Sequence, residues 1–128
     1  VKAALSAVLL CCLAISLPAK ALQRHENDAF LRAVKIVENT DGWGLAEEYG
    51  PYQMGPAARR YTGGHGRREA EVWLEYIKSI LRQKNVHPGP YNVAMAWNCG
   101  PHKVAKGPIP IASYYYANMV CNVFGRND

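Results

Sequence analysis

Along residues 26–38 the apolar positions Phe30, Leu31, Val34 and Val37 recur at three- and four-residue intervals, the spacing that gathers side chains on one face of an α-helix. Asn27 or Asp28 is placed to cap its start, and Glu38 falls at its end. The following Asn39-Thr40-Asp41-Gly42-Trp43-Gly44 consists largely of turn formers, and Gly50-Pro51 punctuates the chain again, so this stretch reads as a loop. Pro56 suits the first turn of a short helix running to about Tyr61, which Thr62-Gly63-Gly64 stops. A longer helix is expected from Arg67 to about Lys84, with Val72, Trp73, Tyr76, Ile77, Ile80 and Leu81 on its apolar stripe. After the breaker His87-Pro88-Gly89-Pro90, an apolar helix from Tyr91 to Trp97 ends at Asn98-Cys99-Gly100-Pro101 and has the composition of a buried central helix. The last helix begins after Pro110 and is expected to turn Tyr115, Met119, Val120, Val123 and Phe124 inward. Convincing period-two alternation is absent. The reading is all-α: about five helices around a central apolar one.

The apolar run from Ala3 to Leu17 does not fit that domain. With Lys2 before it and Pro18-Ala19-Lys20-Ala21 after it, the order is basic, apolar, then small-x-small, as in an export signal cleaved after Ala21. A membrane anchor is the competing reading, but a spanning helix needs about 20 apolar residues and this run is shorter. Cys11 and Cys12 sit inside the apolar core of the segment and leave with it. Residues 22–128 then form one small domain, exported to the periplasm or beyond the cell. Removing Lys2 and Lys20 leaves 13 basic and 10 acidic residues, a mild excess that suits an anionic polymer such as cell wall. No basic run marks a nucleic-acid binder.

Cys99 and Cys121 remain, and outside the cytoplasm a bridge between them can persist. Two buried thiols are the other reading, and geometry decides between them. His25, His65, His87 and His102 are scattered, so no metal site is expected, nor a cofactor.

Three segments in this order are similar to the motifs of the soluble lytic transglycosylases and goose-type lysozymes, within the lysozyme-like superfamily. Ala33-Val34-Lys35-Ile36-Val37-Glu38 resembles the helix that ends in the family's catalytic Glu. Gly50-Pro51-Tyr52-Gln53-Met54 looks like the Gly-Leu-Met-Gln stretch after the active-site loop. Ala94-Met95-Ala96-Trp97-Asn98-Cys99-Gly100-Pro101 resembles the Ala-Ala-Tyr-Asn-Ala-Gly-Pro segment, with Pro110, Ser113, Tyr116 and Val120 following like the closing Pro, Thr, Tyr and Val positions. The chain departs from the pattern at Asn39, where most members have Ser, at Trp97, which replaces Tyr, and in the shortened interval between Glu38 and Gly50.

The resemblance implies a monomeric enzyme that cleaves the β-1,4 bond of peptidoglycan glycan strands in a substrate groove. Protonating a poor leaving oxygen asks for a carboxylic acid still protonated near neutral pH, and burial favours that form. Glu38 is the candidate acid; a solvated Glu at a helix end is the plainer alternative. An inverting hydrolase would need a second carboxylate, for which Asp41 comes first, with Glu47 and Glu48 behind it. A lytic transglycosylase needs none, because the muramic acid's own C6 hydroxyl attacks C1 and leaves a 1,6-anhydro end. That outcome is preferred here; a hydrolytic lysozyme and an inactive wall-binding module of the same fold are the alternatives. Tyr52, Gln53, Met54, Trp97, Asn98 and Tyr116 are the expected substrate contacts, with core packing the other reading of Met54 and capping of the central helix the other reading of Asn98. Trp43 and Trp97 are available to stack on sugars, whereas Trp73 belongs to the core.

Overall fold

The computed structural model describes residues 19–41 and 50–126. The apolar run before Pro18, and Trp43, Glu47 and Glu48, lie outside the described residues. The elements in order are α1 (Ala19–Asp41), α2 (Pro56–Thr62), α3 (Arg67–Gln83), α4 (Pro90–Cys99), α5 (Pro101–Lys106) and α6 (Ile111–Arg126). The fold is all-α, and among the described residues no helix is long and apolar enough to cross a membrane.

Helix α4 is the centre. Val93, Ala94, Met95 and Ala96 are buried in succession, which a helix achieves only when it is covered on every side. Helices α3, α5 and α6 cover it. Helix α1 lies across α6 and α3, α2 packs on α3, and α5 bridges from α4 to α3. The core that results joins Phe30, Leu31, Val34 and Val37 of α1 to Leu74, Ile77 and Leu81 of α3 and to Tyr116, Ala117 and Val120 of α6.

Helix α1 is longer than expected at both ends, and Asn27 and Asp28 do not cap it. Asn27 is 3% exposed in mid-helix, donating from Nδ2 to Glu75 Oε1 at 2.8 Å and accepting from Lys78 Nζ at 2.6 Å. Gln23 reaches the same Glu75, and Asp28 pairs with Arg67. These polar residues thus fasten α1 to α3, and a buried amide with both ends satisfied costs the fold little.

The buried stripe of α3 is Ala70, Leu74, Ile77 and Leu81, rotated from the expected one; Val72 is 45% exposed and Trp73 only partly buried. Two apolar stripes run side by side on this helix, and the neighbouring elements select one. On α6, Tyr115 points outward at 65% exposure, while Ser113, Tyr116, Ala117 and Val120 face in. The sixth helix, α5, begins at the Gly100-Pro101 pair that reads as a stop, because proline suits a first helical turn as well as it ends a preceding one. Replacing the fully buried Leu74 with Ala is expected to cost about 2–5 kcal/mol in chemical denaturation, against under about 0.5 kcal/mol for Val72→Ala. Equal losses at the two positions would place the core on the wrong side of α3.

Candidate active site

The Gly50–Met54 turn is held from within. Gln53 donates to Gly50 O twice, from its backbone N–H at 3.1 Å and from side-chain Nε2 at 2.8 Å. Closing so tightly puts Gln53 at φ +48° and Gly50 at φ +80°, the left-handed region that glycine adopts without strain. Gly50 is needed for a second reason. A Cβ there would meet the backbone oxygen of His65 at 2.8 Å and its Nδ1 at 2.9 Å, so the loop between α2 and α3 rests directly on the turn.

The other side of the turn meets α4. Trp97 Nε1–H donates to Tyr52 O at 3.1 Å, and the same indole lies edge-on to Phe30 of α1, with ring centroids 6.4 Å apart. One residue on, Asn98 is exposed, and its Oδ1 accepts from Ser113 Oγ of α6 at 2.7 Å. Ser113 is fully buried, so this bond anchors the outer amide to the core. It also orients it: with Oδ1 engaged by Ser113, Nδ2 is the amide's donor on the other side. Gln53 is oriented in the opposite sense, since Nε2 is engaged and Oε1 remains as acceptor.

Glu38 follows Val37, a core residue at 6% exposure, and is itself half-buried. Helix α1 continues past it through Asp41, whose backbone stands one turn, about 5 Å, further along. The first resemblance segment therefore enters the same core as Tyr52 and Met54, against which Trp97 packs.

Several expected substrate contacts lie too deep for that role. Met54 is 1% exposed, Tyr52 6% and Tyr116 7%, with the Tyr116 hydroxyl oxygen enclosed. These three belong to the buried core; Glu38, Gln53, Trp97 and Asn98 have exposed or partly exposed surface. The roles of Ser113 in steering Asn98 and of Gly50 in seating His65 are not readable from spacing. A Ser on the inward face of an apolar helix was the available sign.

Cys99 and Cys121 are free thiols, both half-buried. Helices α4 and α6 run antiparallel: Asn98 meets Ser113 at one end, and Pro90 and Val93 share a cavity wall with Phe124 at the other. Cys121 lies eight residues beyond Ser113, about 12 Å along α6, past the roughly 7 Å Cα separation that a disulfide spans. A bridge between these two thiols is therefore out of reach. Comparison with protein-family models, with curated proteins and with solved structures gives no match.

Gly50→Ala should cost roughly 1–3 kcal/mol, read as a lowered denaturation midpoint, because both the backbone angle and the contact with His65 penalise the added carbon. An unchanged midpoint would mean that His65 does not rest on the turn. Burial raises the Cys121 pKa, so the fold favours its neutral thiol. The associated stability is fully present below the unfolded thiol pKa of about 8.5 and is lost as pH rises through the folded value. Iodoacetamide labelling followed by peptide mass analysis should find Cys121 slower in native than in urea-unfolded protein at about pH 8, the gap closing as the solution becomes more alkaline. Equal rates at that pH would contradict the burial.

Proposed function

We propose that this protein cleaves the β-1,4 bond between N-acetylmuramic acid and N-acetylglucosamine in peptidoglycan, as a lytic transglycosylase with Glu38 as its acid. The observation that carries this reading is convergence. The second and third of the segments that resemble the family's motifs, far apart in the chain, meet through the Trp97–Tyr52 hydrogen bond, and Trp97 also touches Phe30 of the helix that carries the half-buried Glu38 two turns further on. The opposed amides add to it, since an outward donor at Asn98 and an outward acceptor at Gln53 suit the carbonyl and N–H of N-acetyl groups.

In this mechanism the protonated Glu38 carboxyl gives its proton to the glycosidic oxygen as the bond to C1 breaks. The resulting carboxylate then takes the proton of the muramic acid C6 hydroxyl as that oxygen bonds to C1, closing the 1,6-anhydro ring. No water is consumed, and the Glu returns to its starting state.

Hydrolysis by the same scaffold is the second reading, and the continuation of α1 to Asp41 favours keeping it, because a second acidic residue then follows Glu38 by one helical turn. Either way the substrate is a wall polymer, so the protein would act outside the cytoplasm after losing residues 1–21, as a monomer on glycan strands.

Glu38→Gln should abolish clearing in a peptidoglycan zymogram, with wild type clearing. Mass analysis of wild-type digests should find products one water lighter than hydrolytic ones; products of full hydrolytic mass would shift the assignment to a lysozyme using Asp41. Clearing by both proteins, or by neither, would remove Glu38 from the mechanism.

A further inference from the structure

Tyr61, Trp73 and Tyr76 form an aromatic group on the face where α2 packs on α3. Trp73 and Tyr76 are stacked at 5.1 Å with ring planes 20° apart, and Tyr61 leans on both, 4.3 Å from Tyr76 and 6.0 Å from Trp73. Tyr61 is 56% exposed. Beside it lies a shallow depression of about 430 Å³ lined by Arg68, Glu71, Val72, Glu75, Tyr76 and Ser79 as well as Tyr61. None of these residues belongs to the candidate active site.

The lining selects a ligand class. Glu71 and Glu75 repel phosphate or other anionic polymers, while Arg67 faces Glu71 at 3.8 Å and Lys78 faces Glu75 at 3.7 Å, so little carboxylate charge is left uncompensated to capture a cation. It offers an apolar ring face with hydrogen-bonding groups of both kinds around it. Arg68 donates; Glu71 accepts; Ser79 Oγ, whose proton goes to Tyr76 O at 2.8 Å, has lone pairs left to accept. A neutral pyranose presents the complement, a flat patch of C–H groups that seats on the electron-rich ring face and a rim of hydroxyls that both donate and accept. Supporting Tyr61 on two further rings holds it in one orientation, which lowers the entropy lost on binding.

From these contacts we infer that the Tyr61 platform is a second carbohydrate-binding site, which grips an uncleaved stretch of N-acetylated glycan. The choice of that glycan rests on the peptidoglycan reading above. Helix α2 begins two residues after Met54 and carries Tyr61 five residues, about 7.5 Å, further on. The platform is thus joined to the Gln53 turn by a single short helix, and holding a strand there would keep an insoluble polymer near the acid between cuts.

The test is titration of the full chain carrying Glu38→Gln with tetra-N-acetylchitotetraose, followed by amide chemical shifts and calorimetry. Shifts are expected around Tyr61, Arg68 and Ser79. Adding Tyr61→Ala should weaken binding at these residues roughly three- to tenfold, whereas Tyr61→Phe, which keeps the ring, should leave it close to unchanged. Tyr61→Phe should retain the parent's helical spectrum and melting temperature, and Tyr61→Ala should retain the helical spectrum with a melting temperature lowered only by the loss of its two ring contacts. Shifts confined to Gln53, Trp97 and Asn98, identical affinity in the Ala variant, or no binding by any variant would each overturn the platform. The zymogram of Glu38→Gln is read separately: a failed Glu38 assignment leaves these binding data standing, and a failed platform leaves the cleavage assignment standing.

Discussion

A single indole joins three parts of the chain that are distant in sequence. Trp97 gives its N–H to the Tyr52 carbonyl and its ring edge to Phe30, so the central helix, the Gly50 turn and the first helix meet at one side chain. The contact is demanding because a tryptophan must be mostly covered yet still find an acceptor for its only donor. Here a backbone carbonyl supplies it, that of Tyr52 within the turn closed on Gly50 O.

Around that junction the molecule divides its work between layers. Tyr52, Met54 and Tyr116 lie within the buried core. Nearer the surface, Asn98 and Gln53 are each tied by one end to the scaffold, so neither amide is free to rotate toward whatever approaches. Preorganised polar groups of this kind recognise ligands at little entropic cost, since the ordering was completed on folding. Between α1 and α3 the polar group of Gln23, Asn27, Glu75 and Lys78 fixes the helix that carries Glu38.

Much of the helical outline was legible in advance, and for a definite reason. Pro56, Gly63, Pro90 and Gly100 sit at helix ends in the structure as their backbone preferences require. The failures share a cause too. Whether Gly100-Pro101 ends one helix or also begins another, whether Asn27 caps or crosses to α3, and which of two stripes on α3 is buried all depend on partners that local pattern does not contain. Tyr114, Tyr115 and Tyr116 illustrate the same limit: the three are chemically alike, and only the packing of α6 on α4 makes Tyr116 the inward one. Of the site, residue types and their order were legible; depth was not. Met54 and Tyr52 could be assigned to a groove wall only while their burial was unknown.

Gly100 is the last residue with a broader meaning. Its N–H closes α4 on Ala96 O at 2.8 Å, its carbonyl faces the Val104 N–H of α5 at 3.5 Å, and its φ of +93° lets both happen at one position. Two helices therefore share a hinge pin with no spare length. An insertion or deletion at this corner would swing α5 away from α3, while one within α4 would rotate Asn98 by about 100° from its partner on α6. Evolution can lengthen or trim this chain in other connections far more readily than here, so the spacing from Trp97 to Val104 should be the most length-invariant stretch among any descendants of the same ancestor.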